Sequence, residues 1–426
     1  MLNRLSYSLL LYLLSPVIWL YLGWRALRSA EYREGFLQRL GRLHRQIKAD
    51  GIVVHCASVG EARAALPLLE KLLSTYPQLP LTVTTTTPTG KQVIKQALAG
   101  RVVQCYLPVD WPGSCERFLK SLSPRLLILM ETELWPNLLA SCSKKDIPVL
   151  LANARLSEHS CKKYQKYPRL TQSLFSGVNL IAAQYPSDAK NFARIVPQPE
   201  KIQVMGSIKF DIQLSSELIN RQQQLKREWA SNRPIWLAAS IHPAEFDQIL
   251  MAHKQLLEVF PDLLLVAVPR HPEKFAQFKS ACDKHDMNYV CRSESNSPDL
   301  KTPLVVGDTM GEITLFCGIA DIAYIGGSLI ERGGHNPLEA TVCGTPVLMG
   351  RSVYNFSDVC QLLLEKGAMI RVESRAQLIK SVKALLLDPQ RLEQMSAKSS
   401  SVMQQNRGCV ARLAAAADKL MAGVGR

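Results

Sequence analysis

From residue 51 onward the chain alternates two kinds of apolar pattern. Short unbroken runs recur at GIVVHCA (51–57), LTVTTT (81–86), RVVQCYL (101–107), RLLILME (125–131), IPVLLAN (147–153) and NLIAAQ (179–184). Between them lie longer segments whose apolar residues repeat at helical spacing, such as EARAALPLLEKLLSTY (61–76). A run that is apolar at every position, rather than every second one, suits a strand buried on both faces, as in a parallel sheet between helix layers. The polar stretch FDIQLSSELINRQQQLKREW (210–229) breaks the rhythm. It restarts with PIWLAAS (234–240), LLLVAVP (263–269), PLVVGD (303–308), IAYIGG (322–327) and TPVLM (345–349). The pattern predicts two doubly wound α/β domains, 29–208 and 231–426, joined by a linker over 209–230.

The first residues read differently. Leu5 to Trp24 carry no charge, a stretch long enough to cross the roughly 30 Å hydrocarbon layer as a helix. Trp19, Tyr21 and Trp24 cluster at its far end, as expected at a membrane interface. A basic collar follows, Arg25, Arg28, Arg33, Arg39, Arg42, Arg45 and Lys48, offset only by Glu31 and Glu34. These features predict an anchor over 1–28 with the body on the cytoplasmic side, either spanning or, kinked at Pro16, lying in the membrane. The formal net charge of +15 suggests an anionic partner. Eleven cysteines, none in a CxxC pair, indicate reduced thiols and argue against a zinc site.

Chemistry gathers where runs end. SVGE (58–61), TMGE (309–312) and NPLE (336–339) each set a capping residue three positions before a glutamate, the capping-box spacing. Each serves equally well as a helix that simply starts well. Yet each follows a predicted parallel strand and is flanked by glycine (Gly60, Gly311, Gly333 and Gly334), where exposed amides suit phosphate or sugar hydroxyls. Glu131 and Glu133 follow a buried strand and would face a cleft or pair with a base. Lys209 lies where the first domain ends. Arg270 and His271 follow another strand, and His335 reads as a loop histidine. No G-x-G-x-x-G fingerprint, P-loop, G-x-S-x-G elbow or D-x-D occurs, so a dehydrogenase is disfavoured and a metal is not required.

Together, SVGE, TTTTPTG, METELWPN, ANARLS, GSIKFD, VPRHPE, VGDTMGE and GGSLIERGGHNPLEA resemble the 3-deoxy-D-manno-octulosonate (Kdo) transferases of Gram-negative bacteria. The resemblance runs nearly the whole chain. It implies a GT-B fold, two Rossmann-like domains facing across a cleft, and transfer of Kdo from CMP-Kdo to the lipid A precursor with inversion. The setting would be the cytoplasmic face of the inner membrane, with anionic lipids as partners and no cofactor. Carried onto this chain, Glu61 looks like the proton acceptor, and a helix N-terminus should hold its carboxylate ionised. Glu131 and Lys209 resemble transition-state stabilisers. Pro269, Arg270, Met310, Gly311, Glu312, Asn336, Pro337, Leu338 and Glu339 resemble the CMP contacts. ASIHPAEF (239–246) departs from the family pattern while keeping Ser240, His242 and Glu245. Lys162, Lys163, Lys166 and Arg169 would face acceptor phosphates or only solvent. The alternatives are a uridine-nucleotide transferase or epimerase of the same fold, and a tethered nucleic-acid binder. The latter is disfavoured because its basic residues lack interleaved aromatic platforms.

Overall fold

The computed structural model describes residues 3–33, 35–43, 47–229, 233–294 and 297–423. Glu34 and Arg45 of the basic collar, and the expected domain boundary at 230/231, fall outside them. The chain forms two units, Met1–Asp211 with Asn406–Arg426, and Ile212–Gln405.

The first unit is built on strands β1 (Ile52–Cys56), β2 (Leu81–Thr85), β3 (Val103–Tyr106), β4 (Leu126–Met130), β5 (Val149–Ala154), β6 (Leu180–Ala183) and β7 (Ile202–Val204). They form one parallel sheet in the order β3-β2-β1-β4-β5-β6-β7. Both faces are covered, as the unbroken apolar runs require. Val53, Leu127, Leu129, Val149 and Leu151 point into one core with Phe118, Phe175 and Phe192. Their neighbours Ile52, Val54, Ile128, Leu150 and Ala152 point into the opposite core with Leu68, Leu69 and Ile94.

That second core also receives Cys409, Leu413, Ala416 and Ala417 of the last helix, Cys409–Ala422. The chain thus returns from the second unit to complete the first. Asp211 secures the return, its carboxylate accepting the amides of Gly408 and Val410 at 2.5 Å each.

The second unit holds β8 (Ile235–Ile241), β9 (Leu264–Pro269), β10 (Tyr289–Cys291), β11 (Leu304–Val306), β12 (Ile322–Ile325), β13 (Val347–Met349) and β14 (Met369–Arg371). Its parallel order is β10-β11-β9-β8-β12-β13-β14. The polar stretch expected to link the domains is mostly helix, Ser216–Trp229. It buries Gln222, Leu225 and Trp229, with Trp229 stacked on Phe316, so it belongs to the second unit. Three strands escaped the hydrophobic pattern: β7, β10 and β14. All are sheet edges of three residues, too short and too mixed in burial to give an apolar run.

The N-terminal apolar stretch forms two helices, Arg4–Leu13 and Ser15–Arg28, bent by 55°. The break falls at Leu14, and Pro16 sits in the first turn of the second helix, where its missing N–H costs nothing. No single helix among the described residues is long and apolar enough to cross a membrane. One side of the pair rests on the first unit: Ser8 Oγ donates to Asn137 Oδ1 at 2.9 Å, and Tyr12 and Trp19 lie against Trp111. Leu5, Leu9, Leu13, Val17, Leu20 and Leu27 are exposed.

Leu413 is fully buried against the helix Val59–Thr75 and its neighbours. Leu413→Ala should cost about 2–5 kcal/mol. In urea unfolding the loss should fall on probes in the first unit and leave the second unit's transition where it was.

Candidate active site

In a parallel sheet every strand delivers its following loop to the same edge, and a ligand crevice opens where neighbouring strands turn their connections in opposite directions. In the first unit that point lies between β1 and β4. Each supplies a carboxylate there: β1 leads through Ser58 to Glu61, and β4 is followed directly by Glu131.

Ser58 caps the helix Val59–Thr75, its hydroxyl oxygen accepting the Glu61 amide at 3.2 Å. That hydroxyl donates to Glu61 Oε1 at 2.8 Å, and the Ala57 amide donates to Oε2 at 2.8 Å. Half of the expected capping box is present; the glutamate reaches Ala57 rather than the cap's own amide. With 7% exposure, Glu61 is also more buried than expected. Burial pushes its carboxyl up to about 7; the bonds from Ala57 and Ser58 oppose this, and Glu133 and Glu131 add to it. The expectation that the helix N-terminus holds Glu61 firmly ionised is therefore corrected: desolvation and like charge outweigh the amides. Because the folded pKa is raised, Glu61's protonated form favours folding at low pH. That contribution is lost as pH rises through about 7.

Glu131 has a left-handed backbone, φ 55°, with its amide donating to Ala152 O at 2.9 Å. Asn153 near the end of β5 and Ser240 in β8 share that conformation, with φ 54° and 56°. Such non-glycine positions cost about 1–3 kcal/mol each and tend to gather at functional edges. Glu133 beside it has its carboxyl raised by burial and by Glu131. Lys209 lies in the short turn Ile208–Phe210. Buried Asn153 sets that turn, its Oδ1 accepting the Ile208 amide at 3.2 Å. Asn153 Nδ2 and Ser207 Oγ are buried without hydrogen-bond partners among the described residues, two polar groups in reserve beside Lys209. The sequence reading did not single out Asn153 as a functional residue.

In the second unit the reversal lies between β8 and β12. β12 runs into the glycine loop 326–335, where Gly327, Gly333 and Gly334 all take positive φ. A fully buried carboxylate, Glu245, organises it by accepting Gly327 N at 2.8 Å, Tyr324 Oη at 2.6 Å and His242 N at 3.0 Å. Glu245 lies in the atypical 239–246 segment, and its reach from β8 to the glycine loop shows only in three dimensions. His335 proves more than a loop histidine: its Nε2 lies 2.8 Å from His242 Nε2.

Pro269 ends β9, and the Arg270 amide donates to Ile241 O at 3.0 Å, bringing both to this edge. The other two capping boxes do not form as expected. Met310, Gly311 and Glu312 lie in a turn before the helix Ile313–Ile319, because Gly311 at φ 81° breaks helical geometry. Glu312 instead pairs with Arg292 at 3.1 Å and Arg221 at 3.0 Å and accepts from Thr309 Oγ1 at 2.6 Å. These partners hold its carboxyl below the usual range against the opposing effect of burial. Asn336 Oδ1 accepts the Leu338 amide at 3.1 Å, two residues on. Pro337, Leu338 and Glu339 open a single turn, Leu338–Thr341. Glu339 meets the Asn336 side-chain amide at 3.4 Å, and burial raises its carboxyl. Among the described residues no cluster of His, Cys, Asp or Glu could hold a metal ion.

Residues 34–212 match the family described as 3-deoxy-D-manno-octulosonic-acid transferase (kdotransferase), and residues 244–402 match glycosyl transferases group 1. The 3-deoxy-D-manno-octulosonic acid transferase of Haemophilus influenzae is 39% identical over 413 residues, covering 96% of this chain and 97% of that protein. The chain belongs to the 3-deoxy-D-manno-octulosonic acid transferase family. The Bordetella pertussis member is 32% identical over 96% of this chain and 97% of its own length. The crystal structure of a glycosyltransferase from Rickettsia africae superposes with a TM-score of 0.55 at 11% identity, over 88% of this chain and 99% of that one. UDP-GlcNAc 2-epimerase from Neisseria meningitidis gives 0.54 at 14%, over 84% and 99%. These likenesses establish the GT-B-like fold.

The Ser58 hydroxyl bonds the ionised form of Glu61. Ser58→Ala removes a bond of about 1.5–3 kcal/mol to a charged group. The Glu61 carboxyl, followed by carbon-13 NMR, should then titrate about one pH unit higher or more than in the parent.

Proposed function

We propose that this Kdo transferase takes Kdo from CMP-Kdo, held by the second unit, and places it on the lipid A precursor with inversion, using Glu61 as base. The reading rests on one observation above all: a carboxylate only 7% exposed, held by Ala57 N and Ser58 Oγ at the strand reversal, where burial pushes its pKa up to about 7. A base with that pKa is half ionised near neutral pH and accepts a proton readily. The acceptor hydroxyl gives its proton to Glu61 as its oxygen bonds the anomeric carbon. The bond from that carbon to the CMP phosphate breaks, and CMP leaves with the electron pair. Lys209, as a cation, would stabilise the Kdo carboxylate or the departing phosphate, with Glu131 beside Glu61 as the second assigned stabiliser.

For the donor we assign Pro269, Arg270, Met310, Gly311, Glu312, Asn336, Pro337, Leu338 and Glu339. Their common position after β9, after β11 and after β12 supports this. Arg270 suits the phosphate, and the glycine turns allow close backbone approach. Asn336 and Glu339 suit the ribose hydroxyls. Glu61→Gln should lower Kdo transfer about a hundred- to ten-thousandfold, measured with CMP-Kdo and the lipid A precursor. CMP affinity should be unchanged, and CMP should outcompete UDP. Near-normal turnover would remove Glu61 from the base role.

We assign the bent N-terminal pair to the cytoplasmic face of the inner membrane, lying in the leaflet rather than spanning it. Its inner side is engaged by Asn137 and Trp111, while its outer side is apolar and exposed. Arg25 and Arg28 stack on Tyr32 and Trp24 at the end of the pair, where anionic headgroups would meet them. Replacing Leu13 and Leu20, 69% and 74% exposed, by Asp should move the protein from membranes to the soluble fraction in flotation. Circular dichroism should remain unchanged.

A further inference from the structure

Over the reversal between β8 and β12, the second unit places two imidazoles that the donor assignment leaves without a task. His242 leaves β8 at the start of the helix Pro243–Leu257, and His335 closes the glycine loop after β12. Their Nε2 atoms are 2.8 Å apart, and their rings are nearly parallel, 5.1 Å between centroids and 16° between planes. At that distance one nitrogen carries the hydrogen and the other accepts it, so the pair shares a single proton.

The backbone holds both rings where they are. The His242 amide and the Gly327 amide donate to the same carboxylate, Glu245. The His335 amide donates to Gly326 O at 3.1 Å, and Gly334 N donates to Gly327 O at 2.9 Å. Gly327 takes φ 70°, and a Cβ there would lie 3.2 Å from His335 ring atoms and 3.4 Å from His242. The loop is therefore closed down onto the pair, while both histidines remain partly open to solvent.

The fixed cations around the pair are arginines, and one carboxylate faces it. Arg270 and His271, after β9, face both rings, with the His271 ring edge-on at 6.1 Å from that of His242. Arg332 of the glycine loop faces His242. Glu245 is the acidic group facing His242, but its oxygens are already occupied by three amides and the Tyr324 hydroxyl. Glu339 faces Arg270 rather than the rings. Burial, with Arg270 adding to it, pushes both histidines down, His335 to about 4, so the pair is neutral at physiological pH. An anion entering here would meet Arg270 and supply the counter-charge that the pair lacks.

We propose that the His242–His335 pair is a proton-linked anion contact: when the phosphate of a nucleoside monophosphate occupies this crevice, the pair takes one proton from solvent and faces the phosphate as a monocation. This rests on the donor reading above and adds the pair to it. The proton comes from water, no covalent bond changes, and the net charge of the site rises by one as the dianion binds. When the Kdo–phosphate bond breaks, the phosphate gains negative charge, so the contact strengthens as the leaving group forms.

The test is isothermal titration calorimetry of CMP into the full-length protein at about pH 7.5, where the phosphate monoester is already dianionic. Repeating it in buffers of different ionisation enthalpy counts the protons taken up. The parent protein should take up roughly half a proton or more per CMP, and none with cytidine, which lacks the phosphate. His335→Asn and His242→Asn should each abolish the uptake and flatten the decline of CMP affinity with rising pH. Equal uptake in the variants, equal uptake with cytidine, or none in the parent would overturn the inference while leaving the donor site standing. Failure of CMP to bind at all would overturn both. The cytidine comparison uses only the parent protein and so holds even if a variant misfolds.

Discussion

Parallel strand pairing is the constraint from which the chemistry of this protein follows. Each strand is buried on both faces, so a polar side chain along its length must find a partner inside, as His55 does with Thr84. Function is pushed to the ends, and because all strands of a sheet run the same way, it is pushed to one edge. Glu61, Glu131, Asn153 and Lys209 collect at that edge in the first unit; His242, Arg270, Glu312 and Asn336 do so in the second. The reversal in strand order then selects which loops flank the crevice.

Edge positions next to a dry core create a conflict between solvation and hydrogen bonding, and each glutamate resolves it differently. Glu61 keeps two amide or hydroxyl donors to its oxygens yet is raised, because burial and the neighbouring carboxylates dominate. Glu312 has two arginines and is lowered. Glu245 spends its oxygens on backbone amides and a tyrosine and becomes a structural tie between β8 and the glycine loop. Three glutamates, each three residues after a capping position, thus reach three ends: a carboxyl raised by burial, a salt-bridged turn and a brace. Sequence spacing alone cannot separate them, since the deciding partners, Glu131, Arg292 and Gly327, are distant in the chain.

This explains how much was readable beforehand. The central strands were legible, because continuous burial writes itself into continuous apolar runs; β7, β10 and β14 were not, because an edge strand of three residues leaves no such trace. The glycine loop was legible as a place of close backbone approach, and Gly327, Gly333 and Gly334 do take left-handed geometry. Asn153 and the partnership of His335 with His242 were hidden. A left-handed asparagine looks like any other in sequence, and two histidines that follow different strands pair only through topology. The polar helix Ser216–Trp229 read as linker because only Gln222, Leu225 and Trp229 turn inward, too narrow a stripe to register.

The return of the last helix, Cys409–Ala422, to the first sheet orders events during synthesis. While the ribosome is still making the second unit, Leu69, Ile94 and Ile208 have no Leu413 to cover them. The N-terminal half therefore emerges with one flank of its interior bare and is sealed only after the second unit has been made. The second unit lies between the two parts of the first as an insertion, and its core around Trp236, Phe278 and Tyr324 takes no described residue from that helix.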